Sequence, residues 1–330
     1  MERHTIITGG AGFIGSHLVD KLLAEEVGPV TVIDNFDPFY PRASKEANIA
    51  AHWGNPAFRL VEGDLLEDAV LEQALGMHPA AVTTVVHLAA KTGVRPSINH
   101  ALDYHRVNVT GTLKLLEKAR AHRIAHFVLA SSSSVYGEHP QVPWKESLRD
   151  LRPISPYAAT KLAAEQFTQV YARLHGLHTT VLRFFTVYGP RQRPDLAIHA
   201  FFRKVHEGLP IQRFGDGTSC RDYTYVADIV NGMHAAMQRP LHHADGQGAF
   251  DIFNLGNSET VALRDLIAAI EQQCGRQAVI DALPTQPGDV PRTFADVAKA
   301  GAQFGYKPTT HLAEGLGHFA RWYEEQRRRG

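Results

Sequence analysis

The chain of 330 residues has only two cysteines, Cys220 and Cys274. Two thiols cannot build a disulfide framework, and neither belongs to a Cys-x-x-Cys pair, so neither a stapled secreted fold nor a cysteine metal site is implied. This usage fits a reducing cytoplasm. A dominant charge is also missing, since 34 Lys and Arg stand against 34 Asp and Glu. Without a basic excess, nothing points to nucleic acid or to an anionic membrane. No apolar run approaches the ~20 residues that span a bilayer. The first residues enter a strand pattern rather than a secretion signal, so a cytoplasmic protein is expected. The 19 histidines are scattered, and no metal is expected. Repeats, low-complexity tracts and flexible linkers are absent too. With 44% hydrophobic and 21% charged residues, the composition is that of a globular enzyme of one large or two medium domains.

What is present begins at the N-terminus. His4–Thr8 reads as a short buried strand, followed by Gly9-Gly10-Ala11-Gly12-Phe13-Ile14-Gly15 and a helix pattern through Leu18, Leu22 and Leu23. Glycines at 9, 12 and 15 between strand and helix let backbone approach a pyrophosphate, whose charge the helix N-terminus stabilises. A second strand, Val30–Ile33, ends in Asp34, about 20 residues on. A carboxylate there accepts from a ribose 2′-hydroxyl and repels a 2′-phosphate, which favours NAD over NADP. Residues 35–55 form a polar and aromatic insertion that reads as a lid or as a surface excursion, with the surface excursion preferred. Further strands are expected at Phe58–Val61, Thr83–His87, Phe127–Ala130 and Thr179–Phe184, with an amphipathic helix over 100–122. The alternation implies a parallel, doubly wound α/β sheet, the Rossmann fold, over residues 1–185. Residues 186–330 are expected to form a smaller mixed α/β substrate lobe, with segments returning to the first domain.

Two stretches carry chemistry. Ser131–Ser134 lie at a strand's carboxyl end, where ligands bind in open parallel sheets. Ser155-Pro156-Tyr157-Ala158-Ala159-Thr160-Lys161 starts a helix with a hydroxyl cap and a first-turn proline. Tyr157 and Lys161, four apart, share one face. A lysine ammonium there is expected to draw the tyrosine pKa down and make a proton-transfer pair.

The glycine triplet, Asp34, Ser132, Tyr157 and Lys161, in this order, resemble an extended short-chain dehydrogenase/reductase of the nucleotide-sugar epimerase/dehydratase family, across nearly the whole chain. Within it the chain most resembles UDP-glucuronate and UDP-glucose 4-epimerases, and Asp34–Tyr40, Gly93–Ser97, Arg183–Pro190 and Arg193-Pro194-Asp195 are similar to the uronate 4-epimerases. The resemblance implies NAD-dependent 4-epimerisation of a UDP-sugar through a 4-keto intermediate, with UDP-glucuronate as substrate. A UDP-glucose or UDP-N-acetylhexosamine 4-epimerase, or another nucleotide-sugar epimerase or reductase of the same family, is the alternative. It implies Tyr157, Lys161 and Ser132 as catalytic residues. Phe13 and Ile14 would lie at the pyrophosphate, Asn35, Asp64 and Leu65 on the adenosine side. Leu88, Ala89, Ala90, Lys91 and Phe184 would line the cofactor, and Asn108 would support it. For the sugar nucleotide it implies Ser132, Ser133, Ser134, Thr186 and Arg193 at the sugar, Arg213 and Phe214 at uracil, and Arg221 and Asp289 at diphosphate and ribose. A homodimer through the helices at 100–122 and 155–175 is implied as well. Two positions separate the branches. Dehydratases and decarboxylases carry an acidic residue where this chain has Ser134, and hexose 4-epimerases usually carry Asn where it has Thr186.

Overall fold

The computed structural model describes residues 3–77, 82–241, 247–284 and 290–329. In chain order the first half comprises β1 (Arg3–Thr8), α1 (Phe13–Ala24), β2 (Val30–Asp34), α2 (Arg42–Ile49), β3 (Phe58–Glu62), α3 (Asp68–Leu75), β4 (Val82–His87), α4 (Val94–Asn99), α5 (Ala101–His105), α6 (Thr112–Ala121), β5 (His126–Ser132), α7 (Pro156–His175) and β6 (His178–Phe184). The second half comprises β7 (Thr186–Tyr188), α8 (Ala197–Glu207), β8 (Ile211–Phe214), β9 (Cys220–Arg221), β10 (Tyr223–Tyr225), α9 (Val226–Gln238), β11 (Phe250–Leu255), β12 (Val261–Ala262), α10 (Leu263–Cys274), β13 (Ile280–Leu283), α11 (Ala298–Phe304) and α12 (Leu312–Arg329).

Seven strands form one sheet in the order β11-β6-β5-β4-β1-β2-β3, and every pair is parallel. This is the doubly wound fold expected from the alternation. Strands covered on both faces read as continuous apolar runs, and β1, β2, β5 and β6 are buried along nearly their whole length. One face packs Leu18 and Leu22 of α1 against Ile229 and Met233 of α9. The other packs Leu71 of α3, Leu116 of α6 and Ala164 of α7. A separate core joins Phe202 of α8, Ile270 of α10 and Phe319 of α12. It belongs to the second half, beside the small pairings β10–β7, β12–β9 and β13–β8. The seventh strand of the large sheet, β11, also comes from the second half.

The strand order reverses between β1 and β4, so their carboxyl ends open a crevice. The helix expected over 100–122 is interrupted by a π-helical turn at Arg106–Gly111 between α5 and α6. Such turns often mark functional sites, and this one carries Asn108. No helix among the described residues is long and apolar enough to cross a membrane.

Candidate functional site

The carboxyl ends of β1, β2, β4, β5 and β6 border one cleft of about 950 Å³. At its floor, β1 turns into α1 through the glycine loop. Gly9 has φ +72°, and a Cβ on it would sit 2.8 Å from the Ala89 nitrogen. A Cβ on Gly15 would sit 2.4 Å from the Gly9 oxygen. Neither position tolerates a side chain, so the loop stays flush with the helix end. Gly12 is the N-cap of α1, and no side chain caps it. First-turn amides of Phe13, Ile14 and Gly15 are therefore left for an anion. Asp34 ends β2 at the same edge. Its carboxylate accepts from the Ala11 amide at 3.0 Å and the Phe36 amide at 2.9 Å, and burial raises its pKa above the usual carboxylate value. It thus ties the glycine loop to β2 while still lining the cleft. Asn35 donates to Asp64 at 3.0 Å, and both line the cleft with Leu65. This cradle fits a dinucleotide: the closed space above the glycines, the uncapped helix end and the carboxylate at the second strand all match its parts.

Leu88, Ala89, Ala90 and Lys91 form the wall beyond β4, and Phe184 lines the end of β6. Asn108 lies behind this wall rather than in it. Its carboxamide accepts from the Lys91 amide at 2.8 Å and donates to the Lys91 oxygen at 2.9 Å and the Thr160 hydroxyl at 3.1 Å. Its carboxamide thus ties Lys91 to Thr160 of α7, a supporting role behind the cofactor wall.

The proton-transfer group stands across the cleft. Ser155 caps α7 by accepting from the Ala158 amide at 3.1 Å, which sets Tyr157 and Lys161 on the face toward β5. Ser132 lines the cleft with Tyr157 and acts to lower the phenol's pKa, and the Ser134 hydroxyl donates to Ser132 at 2.9 Å. Ser133 lines the cleft beside them, whereas Ser131 turns inward and donates to Glu165 at 2.5 Å. The Tyr104 ring packs edge-on to Tyr157 with centroids 6.3 Å apart.

The electrostatics differ from the sequence expectation. Burial raises the Tyr157 pKa, and what opposes the rise is Ser132 and the charge of Arg193, not Lys161. The Lys161 ammonium donates to the Ala130 oxygen at 2.8 Å, which holds it to the strand end. Its own pKa is lowered by burial to about 8, with Glu165 one helical turn on opposing the fall.

Thr186, Arg193 and Arg221 also line the cleft. The Arg193 guanidinium meets Asp195 with two bonds, 3.0 and 2.9 Å, also donates to Thr92, and lies 5.4 Å from the Phe39 ring centroid. Arg213 and Phe214 are not among the cleft-lining residues. Phe214 instead lies under the Arg95 guanidinium, 4.7 Å from its ring centroid, which ties β8 to α4. Asp289 lies outside the described residues.

The insertion after β2 is not the surface excursion preferred from sequence. Asp37, Phe39, Tyr40 and Lys45 line the cleft, and Lys91 pairs with Asp37 at 3.4 Å. Sequence reasoning missed these residues, along with Thr92 and Tyr104. The aromatic content of the insertion was the available signal, since exposed loops seldom carry Phe36, Phe39 and Tyr40 so close together.

Known proteins resemble this chain in sequence and in fold. The sequence profile of the NAD dependent epimerase/dehydratase family matches residues 5–256. UDP-glucuronate 4-epimerase 3 of Arabidopsis thaliana is 40% identical over 331 residues, 96% of this chain and 76% of that one. The crystal structure of the UDP-glucuronic acid 4-epimerase from Bacillus cereus, in complex with UDP-glucuronic acid and NAD, superposes with a TM-score of 0.88 at 35% identity, covering 98% of this chain and 99% of the other. The UDP-glucose 4-epimerase from Thermotoga maritima, with UDP-glucose, gives 0.87 at 31% identity, covering 98% and 99%. The profile covers most of the chain and the relatives and superposed structures cover nearly all of it: the chain belongs to the NAD dependent epimerase/dehydratase family.

Proposed function

We propose that this chain is an NAD-dependent UDP-sugar 4-epimerase that interconverts UDP-glucuronate and UDP-galacturonate. The observation that carries the reading is the gathering of Ser132, Tyr157 and Lys161 in one cleft with a dinucleotide cradle and with Thr186 and Arg193. The cofactor, when bound, supplies a reversible hydride acceptor at C4. The chain manages the proton. Tyr157 takes it from the sugar 4-hydroxyl and returns it after the 4-keto sugar has turned over. Ser132 hydrogen-bonds the same oxygen and fixes its line to the phenol. Lys161, anchored on Ala130, holds the nicotinamide ribose. Phe13, Ile14, Asp34, Asp64 and Leu65 hold the adenosine diphosphate half, and Arg221 suits a substrate diphosphate.

Arg193, Thr186 and the serines are the groups we assign to the C6 carboxylate, a role that supports a uronate. A guanidinium gives a carboxylate two charge-assisted bonds, whereas a hydroxymethyl receives one weaker contact. The resident Asp195 on Arg193 favours a second reading, a UDP-hexose 4-epimerase, because the guanidinium already has a carboxylate partner. Purified protein incubated with UDP-glucuronate or UDP-glucose, without added NAD, separates the two. The uronate reading expects 4-epimer from UDP-glucuronate. It also expects Arg193→Ala to lower turnover of UDP-glucuronate far more than of UDP-glucose and to release some 4-keto-pentose, since a 4-keto uronate is a β-keto acid whose carboxylate is no longer held. Equal losses without that product support the hexose reading.

The homodimer is part of the proposal. Leu102 of α5 is 86% exposed and Leu174 of α7 is 68% exposed, and these helices pack side by side. A second copy covering that face through a four-helix bundle accounts for both. Two free thiols suit the cytoplasm as its place of work.

A further inference from the structure

We propose that Lys45 is an additional cofactor-binding residue whose ammonium clasps the dinucleotide pyrophosphate from the side opposite the glycine loop. The inference rests on the NAD reading above. Lys45 is 6% exposed, yet it lines the cleft. It sits on α2, three residues before Asn48, so the two side chains share one face. Asn48 donates to the Ala11 oxygen at 3.0 Å, which docks that face on the glycine loop. The ammonium lies 4.6 Å from the Tyr40 ring centroid, and the Tyr40 hydroxyl comes within 3.9 Å of the space above Gly12. Lys45 thus packs on the ring whose hydroxyl reaches toward Gly12, the uncapped N-cap of α1.

Its ammonium makes no direct ion pair among the described residues. The ammonium donates to the Asp37 backbone oxygen at 2.7 Å. The carboxylates of Asp34 and Asp37 favour the charged form, but burial outweighs them and lowers the pKa. A buried cation held by one carbonyl and one ring face is costly unless an anion completes the site. The pyrophosphate carries two negative charges, and the helix end offers only partial positive charge. Lys45 supplies the full one.

The test compares wild type with Lys45→Met, which keeps an unbranched stem but removes the charge, and with Lys45→Arg. NAD is stripped from each protein, and affinities for NAD, ADP-ribose and adenosine are measured by calorimetry alongside thermal melting. One charge-assisted bond predicts about ten- to a hundredfold weaker NAD and ADP-ribose binding in Lys45→Met. Adenosine affinity should be unchanged, and Lys45→Arg should recover most of the loss. Binding of NAD by Lys45→Met within twofold of wild type overturns the proposal. So does an equal loss for adenosine, which would mean that Lys45 only shapes the insertion. Failure of wild type to bind NAD would instead overturn the reading of the site as an NAD site.

Discussion

Replacing Lys161 with methionine should change how stability depends on pH. Lys161 is 6% exposed, and burial brings its pKa from 10.5 to about 8. The folded state therefore binds this proton less tightly than the unfolded chain does. Where the unfolded state holds more protons, stability rises with pH. The penalty is present in full below pH 8 and disappears as pH climbs from 8 past 10.5. The full shift is worth ~3 kcal/mol at ~1.36 kcal/mol per unit. Between pH 7 and pH 10, where the unfolded lysine has not finished titrating, the recoverable part is about 2.5 kcal/mol. Lys161→Met removes this dependence and adds a constant loss from the Ala130 hydrogen bond. Urea denaturation of both cofactor-stripped proteins at pH 7, 8, 9 and 10 isolates the effect, because all other titrations cancel in the difference. Wild type should gain about 2.5 kcal/mol on the variant across that range. A difference that stays flat, or that moves in favour of the variant, refutes the argument that this ammonium is held at the expense of folding.

Two further outcomes are expected. Tyr157→Phe should retain NAD and bind sugar nucleotide but lose turnover by ~10²–10⁴-fold, measured by epimer formation, and a nearly active variant refutes its role as the proton acceptor. Asp34→Ala should weaken NAD binding and narrow its preference over NADP, measured by titration with both cofactors. It should also lower the melting temperature, because the Ala11 and Phe36 amides lose their acceptor at ~1–3 kcal/mol for each one left buried.

The fold was legible because a parallel sheet buried on both faces must write itself as short apolar runs, and glycines at 9, 12 and 15 allow few alternatives to a phosphate loop. Tyr157 and Lys161 were legible because helical spacing fixes which side chains share a face. Their electrical relationship was not. It depends on Ala130 taking the ammonium and on Arg193 arriving from the second half, and spacing along one helix reports neither. Lys45 was hidden for a similar reason. A lysine in a polar insertion looks solvated until Asn48 docks the helix on Ala11. Asn108 was recognised as supporting, but its π-helical turn, which aims both ends of its carboxamide at Lys91, has no signature in residue type. Arg213 and Phe214 were placed at the cleft by likeness alone, and the stacking of Arg95 on Phe214 engages that ring instead.

The seventh strand constrains the order in which the molecule can be assembled. β11 pairs with β6 along six residues, Phe250↔Thr179 to Leu255↔Phe184, across the intervening chain of residues 185–249. Until ribosomes have delivered that segment, β6 is an exposed edge with unpaired amides and carbonyls, and the α9 side of the sheet lacks its cover of Ile229 and Met233. Such an intermediate pairs readily with other chains. A fragment ending near residue 185 would carry the glycine loop, Ser132, Tyr157 and Lys161 and would still be expected to aggregate during expression. Supplying residues 186–330 as a separate polypeptide should rescue its solubility by closing that edge.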